Sequence, residues 1–398
     1  MQPGGDMADA PIYGIDYYCD DVIANPWPHY AAMRALGPVV FLPRLGNYAI
    51  VRMAETRAAL RDPQRFISGE GAGGDEYGSK FQKGNAVASD GELHDTIRGA
   101  IEPPLRLRAL ETVRPSVEAA ADALVDELVA KESFDAVKDF AQPLPLLIVR
   151  DLIGLPDFGR ENMLKWASAA FNMMGMQNAR GRAAEADILE MRSFLRDRLT
   201  RDAVKPGSWM DRIFGLVESG DLAADLGPIA MRDYINPSLD TTISALGWLI
   251  HLLSEAPEEW ARLRAEPKLA LGAAHEAVRL GAPIRSFSRR AAEDVAVGDV
   301  VIPKGARVMM VYAAANRDER VFPDPDKFDP TRPPGRHLGF GAGVHTCVGM
   351  HLALMEITAL IRAMTSKVDR IETGEPVVSY NNTICAFASL PTRFIAAE

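Results

Sequence analysis

The chain is poor in several residue types, and each shortage excludes a class of protein. Only three cysteines occur, Cys19, Cys347 and Cys385. An odd, widely spaced set does not make a disulfide framework and reads as reduced thiols of a cytoplasmic chain. No apolar run approaches the roughly 20 residues that cross a bilayer. Met1–Asp20 has neither the basic segment nor the apolar stretch of a secretory signal, so export is not expected. Basic residues form no block: 44 Lys and Arg stand against 54 Asp and Glu, a formal charge of −10. That balance disfavours nucleic acid and membrane surfaces as partners.

What remains is an ordinary globular composition, 47% hydrophobic, 25% charged and 7% aromatic, which excludes disordered and fibrous classes. A chain of 398 residues exceeds the size at which single cores usually stop growing. Even so, no linker, repeat or low-complexity segment divides it. The expected organisation is a flexible N-terminus over residues 1–20 and one domain over 21–398.

The pattern is mainly α with a small β region. It predicts a helix over Pro28–Leu36, strands at Val39–Phe41 and Tyr48–Val51, and a helix ending before Asp62-Pro63. Residues 69–90 are Gly-rich and aperiodic, a length typical of functional loops. Helical spacing dominates residues 93–265, with Gly154-Leu-Pro156 ending one segment. Ile229–Leu253 predicts one apolar helix of roughly 35 Å, buried on most sides. Pro237 cannot donate to the carbonyl of Asp233, so that helix must kink or open there. Alternation over Asp294–Ile302 and the turn at Pro303-Lys-Gly305 predict a hairpin. A helix runs from Cys347 to about Lys367, and strands follow.

The densest chemical signal is Phe340-Gly341-Ala-Gly343-Val-His345-Thr-Cys347-Val-Gly349 at the start of that helix. A thiolate there is stabilised by the helix dipole and free backbone N–H groups. Glycines let backbone approach a flat ligand closely. With no partner cysteine nearby, zinc and iron–sulfur sites are disfavoured. A buried structural cysteine is the ordinary alternative, but the combination of residue types is far more specific than a lone glycine motif.

This segment resembles the haem-binding signature of the cytochrome P-450 family, and the resemblance spans about residues 20–395. It implies the P-450 fold, a helical bundle around a long central helix with haem between that helix and the cysteine loop. The implied cofactor is haem b, iron protoporphyrin IX, with Cys347 as metal ligand. A thiolate ligand favours O–O cleavage. Phe340, Gly341 and Gly349 would cradle the ring. His94, Arg98, Arg289 and His345 resemble the family's propionate clamp, since buried carboxylates need cationic partners. Glu276-Ala-Val-Arg279 matches the E-x-x-R helix, a structural pair expected to lock to the following irregular segment through Arg332. Asp240-Thr241 resembles the acid–alcohol pair: Thr241 would hold a water near the bound oxygen and Asp240 would relay protons from solvent. Where the family usually has Ala/Gly-Gly before this pair, the chain has Pro237-Ser238. The expected kink supplies the gap that glycine often provides, at the cost of a Ser238 side chain above the haem.

The resemblance assigns the substrate pocket to Phe81, Val87, Phe171, Met174, Leu239, Ile284, Phe287, Ile384 and Phe387, a dry, aromatic-friendly set. Asn381-Asn-Thr383, Phe171–Gly175, Met231-Arg-Asp-Tyr and Leu239–Thr242 look most similar to members that oxidise para-substituted benzoates. Those members hold the carboxylate partly with loop residues, where this chain offers Phe81 and Gly84. Lys80, Lys83, Arg232 and Arg285 are the substitute cations, and neutral phenolic, aromatic or terpenoid substrates stay open. The implied activity is monooxygenation, by hydroxylation or oxidative O-demethylation. Electrons would come from NAD(P)H through a ferredoxin reductase and a ferredoxin docking near Arg106, Arg108 or Arg336. A peroxygenase is disfavoured by Asp240-Thr241, and a haem-bound sensor or carrier would bind ligand without forming product.

Overall fold

Prolines open the helices and left-handed glycines close them. Pro28, Pro115, Pro143, Pro228 and Pro257 each sit at the first or second position of a helix, where their missing N–H costs nothing. Gly154 (φ 75°) and Gly220 (φ 82°) take the left-handed position that ends one. The computed structural model describes residues 9–397. Five helices position the site: α1 (Gly91–Ile101), α2 (Gly227–Ile235), α3 (Asp240–Glu255), α4 (Ala270–Gly281) and α5 (Met350–Lys367). The helices α3, α4 and α5 pack together, with Leu246, Leu249, Ala277, Leu280, Ile357 and Leu360 fully excluded from solvent.

Among the described residues the β region is divided into four sheets, the largest with five strands. Five strands are β1 (Val39–Leu42), β2 (Asn47–Ile50), β3 (Phe66–Ile67), β4 (Phe287–Ala291) and β5 (Arg307–Met310). Their order is β1-β2-β5-β4-β3. The β2–β5 pair is parallel, with Tyr48 opposite Val308, and β4 runs antiparallel to β5, with Arg289 opposite Val308. That register carries Arg289 to the edge of the site. The expected hairpin forms between Val295–Val297 and Val300–Ile302.

Three expectations change. Residues 69–90 are not all irregular: Glu76–Gln82 is helical, its start capped by Asp75 accepting from Gly78 N–H at 2.7 Å. The cap was readable, but seven residues are too few to show a period. Of the first twenty residues, 1–8 lie outside the described residues. The following segment is packed: Tyr13 N–H donates to Phe41 at 2.9 Å, and Tyr17 and Tyr18 are buried. The tyrosine rings, packing with Tyr30, hold this stretch against the domain.

The third change is the long central helix, which is two helices separated by Asn236–Leu239. The expected opening at Pro237 is a complete break. Side chains replace the lost backbone donors: Ser238 Oγ donates to the Tyr234 carbonyl, and Thr241 Oγ1 donates to the Pro237 carbonyl at 3.0 Å. Satisfying these carbonyls locally makes the break affordable inside a buried segment.

Candidate active site

The cysteine loop is built by short-range hydrogen bonds. Cys347 N–H donates to Phe340 and Gly341 N–H to Leu338, both at 2.9 Å. Gly343 has φ 73°, and a Cβ there would stand 2.4 Å from the Leu60 carbonyl oxygen, so only glycine fits. The result presents Cys347 Sγ to the floor of a cavity. Burial pushes its thiol pKa up, while the N–H groups of Gly349 and Met350 and the charge of Arg98 pull it down. The sulfur therefore faces two backbone donors at the start of α5, an arrangement that favours a thiolate held against a cation.

The cavity lies between this loop and the broken end of α3. Val87, Phe171, Met174, Ile284 and Phe287 line it, as do Phe340, Gly341 and Gly349. Phe81, Leu239, Ile384 and Phe387 are not among its lining residues. Phe81 stacks on Tyr77 with the Arg192 guanidinium 3.9 Å above its ring. Leu239 turns into the core, Phe387 packs on Trp248, and Ile384 bridges to Ile284 by backbone. The helix break rotates Leu239 away, a displacement that an unbroken helical period does not contain. Neither Lys80, Lys83, Arg232 nor Arg285 lies on the cavity wall. Lys80 is on the surface, and Arg285 is buried and donates to the Asn381 and Asn382 carbonyls.

One edge of the cavity carries the surplus of donors. Arg98, Arg289 and His345 line it. Arg98 donates to Thr346 O at 2.7 Å and Glu102 at 3.1 Å, and Arg289 donates to Ser288 O at 2.7 Å. His345 Nε2 is 3.0 Å from Ser68 Oγ, and its ring meets His94 edge-on at 4.6 Å. His94 stands behind this edge with Nδ1 3.0 Å from Asp95 and a buried Nε2 that has no partner. Among the described residues no carboxylate pairs with Arg289. The edge thus fits a group that brings its own acidic substituents, the faces fit an apolar plane, and the floor offers one sulfur. Haem satisfies all three requirements.

Across the cavity, Thr241 lies on the wall. Asp240 begins α3 and does not line the cavity; burial alone pushes its pKa up to about 7. Two further carboxyl groups on the wall escaped sequence reasoning. Asp233 accepts from Ala86 N–H at 2.7 Å and is pushed up to about 6 by burial, with Arg232 pulling the other way. Glu356 on α5 is pushed up to about 8 by burial and leaves Oε1 without a partner. Glu356 carries no motif, and Asp233 stands in Met231-Arg-Asp-Tyr without a role for its carboxyl; the three-dimensional wall reveals both.

The structural pair is fully formed. Arg279 is 1% exposed and donates to both oxygens of Glu276, at 2.6 and 2.8 Å. It also reaches the carbonyls of Asn316, Pro325 and Lys327. Arg332 lies 3.3 Å from Glu276, so the pair ties α4 to the irregular segment before the cysteine loop. The motifs Phe171–Gly175 and Asn381–Thr383 interlock as well. Asn382 Nδ2 donates to Asn172 O at 2.9 Å and Thr383 to Phe171 O at 2.7 Å.

The cytochrome P450 family profile matches residues 230–369, which contain α3, the Glu276–Arg279 pair and Cys347. Cytochrome P450 CYP199A2 of Rhodopseudomonas palustris is 34% identical, with 99% of this chain and 97% of that protein aligned. Linalool 8-monooxygenase of Pseudomonas putida is 30% identical over 88% of this chain and 91% of its own. The structure of CYP109Q5 from Chondromyces apiculatus superposes with a TM-score of 0.81 at 23% identity, over 96% of this chain and 99% of that one. Fold and relatives define an oxidoreductase of the monooxygenase class with a haem cofactor, a small-molecule substrate and redox partners. The chain belongs to the cytochrome P450 family, and it is a cytochrome P450 monooxygenase. No helix among the described residues is long and apolar enough to cross a membrane.

Proposed function

We propose that the protein inserts one oxygen atom of O2 into a small, largely apolar, aromatic substrate, by hydroxylation or oxidative O-demethylation, with electrons from a ferredoxin. The observation that carries this reading is the placement of Cys347 Sγ on the floor of an apolar cavity whose opposite wall is opened at Pro237 and carries Thr241. Haem b held by Cys347, with its acidic edge at His94, Arg98, Arg289 and His345, supplies oxygen-activating redox chemistry when bound.

The chain's own side chains do the rest. Val87, Phe171, Met174, Ile284 and Phe287 exclude water and hold an apolar substrate against the reactive face. Because the Thr241 proton is committed to the Pro237 carbonyl, the lone pairs of Oγ1 are free to hold a donor in the cavity. Asp240, poised near neutrality at the start of α3, takes up and releases the relayed protons. On the cysteine side Arg57, Arg61 and Arg336 crowd together closely enough to lower the Arg57 pKa, after burial itself. Exposed Arg106 and Arg108 follow in sequence behind Arg98 and Glu102. A surface of this sign suits an acidic ferredoxin.

The test is turnover with ferredoxin, ferredoxin reductase and NAD(P)H under isotopically labelled dioxygen. One labelled atom in the hydroxylated product, or in the aldehyde released by demethylation, is expected. Product formed only from added peroxide would overturn the reading.

A further inference from the structure

The part of the cavity wall beyond Thr241 has no cationic donor among its lining residues; Asn236, Trp209 and Thr242 offer neutral ones. The positively charged or titratable basic groups lining the cavity are Arg98, Arg289 and His345, all at the edge that suits the haem carboxylates. Three hydroxyls at the broken helix are already spent as donors: Tyr234 to Ile101 O at 2.9 Å, Ser238 to Tyr234 O, and Thr241 to Pro237 O at 3.0 Å. Asn85 is likewise engaged, its Nδ2 with Gln82 at 3.2 Å and its Oδ1 with Ala88 N–H at 2.8 Å.

Acceptors, by contrast, are left over. Asp233 and Asn236 lie three positions apart at the end of α2, and both line the cavity. Asp233 is 9% exposed and accepts one hydrogen bond, through Oδ2 from Ala86. Asn236 is 8% exposed, and its Oδ1 has no partner. A buried acceptor without a donor costs about 1–3 kcal/mol, and a donor supplied by a ligand recovers it. A carboxylate placed here would instead meet the Asp233 carboxyl, whose nearby cation, Arg232, does not line the cavity and so cannot donate to it.

We infer that Asp233 and Asn236 set substrate class, selecting a small aromatic molecule whose polar end is a hydrogen-bond donor, a phenolic hydroxyl or a protonated amine, and disfavouring a carboxylate. This rests on the cavity being the substrate site, and it separates this chain from benzoate oxidation despite the shared motifs. The Asp233 carboxyl, raised toward neutrality by burial, has most to gain from such a donor.

The test is isothermal titration calorimetry of the haem-loaded protein with four matched ligands: anisole, 4-methoxyphenol, 4-methoxybenzylamine and 4-methoxybenzoate. The phenol, the amine or both should bind about tenfold tighter than anisole, and the benzoate no tighter. A gain for the phenol alone identifies a neutral donor, and a gain for the amine a cationic one. Asp233→Asn, which keeps an oxygen for Ala86 N–H, should erase the amine's advantage and narrow the benzoate's deficit. Asn236→Ala should weaken the phenol severalfold and leave anisole unchanged. Benzoate as the tightest ligand, or an order unchanged in both variants, would overturn the inference. The calorimetry reads binding whatever the iron ligand, so its failure is distinct from failure of the monooxygenase reading, which the spectrum of the same preparation reports.

Discussion

Thr241 donates its hydroxyl to the carbonyl of Pro237, 3.0 Å away, across the gap where the central helix is broken. The bond fixes the side chain's orientation and leaves its lone pairs toward the cavity. Thr241→Ala should lower ferredoxin-driven product formation on the order of 100-fold while cofactor oxidation continues, so product per NAD(P)H falls. Thr241→Ser, which keeps the hydroxyl, should recover most of the yield. Product and coupling ratio measured together check this; an unchanged ratio in the alanine variant removes Thr241 from proton delivery.

Asp240 ties function to a stability cost. Its carboxyl titrates near 3.8 in the unfolded chain and about 7 in the folded one. Between those values the folded chain keeps a proton that the unfolded chain has released, so stability falls as pH rises across this window and levels off above it. Asp240→Asn should therefore be more stable than the parent by about 4 kcal/mol at alkaline pH, with the difference vanishing as pH approaches about 4. Its turnover should fall at the same time. Denaturant melts across pH check the first statement; a difference independent of pH contradicts it.

Much of this architecture was legible because it rests on local chemistry. Pro237 lacks a donor whatever surrounds it, so an interruption was readable; its extension over four residues depended on Ser238 and Thr241 capping the freed carbonyls. Arg98, Arg289 and His345, singled out by residue type and order, line one edge of the cavity. The geometry of that edge comes from the sheet register that carries Arg289 inward and from the His94–His345 ring contact. Pocket residues were legible where they lie on regular elements, as Phe171, Met174 and Phe287 do. Leu239 leaves the cavity where the backbone departs from regularity, and Phe81 leaves it because the expected loop there is a helix. Glu356 was invisible because one carboxyl in an apolar helix carries no signal until its neighbours are known, and Asp233, though inside a quoted motif, shows what its carboxyl faces only in the cavity wall.

Arg279 contributes to folding through five hydrogen bonds, two to Glu276 and three to backbone carbonyls. Removing it leaves the Glu276 carboxylate buried beside Arg332, with three carbonyls unsatisfied. Arg279→Ala should cost about 3–5 kcal/mol and lower the haem-to-protein ratio of the purified protein, since these carbonyls shape the segment leading to Cys347. Urea midpoints and haem content check it; native stability in the variant contradicts a structural role for the pair.

The sulfur at position 347 is the point on which the enzymatic account turns. The direct measurement is the absorption spectrum of the reduced, carbon monoxide-treated protein, taken for the parent and for Cys347→Ala. The account predicts the red-shifted band of sulfur-ligated haem iron in the parent and its loss in the variant. A parent without that band, or a variant that keeps it, would contradict the assignment of Cys347 as the ligand.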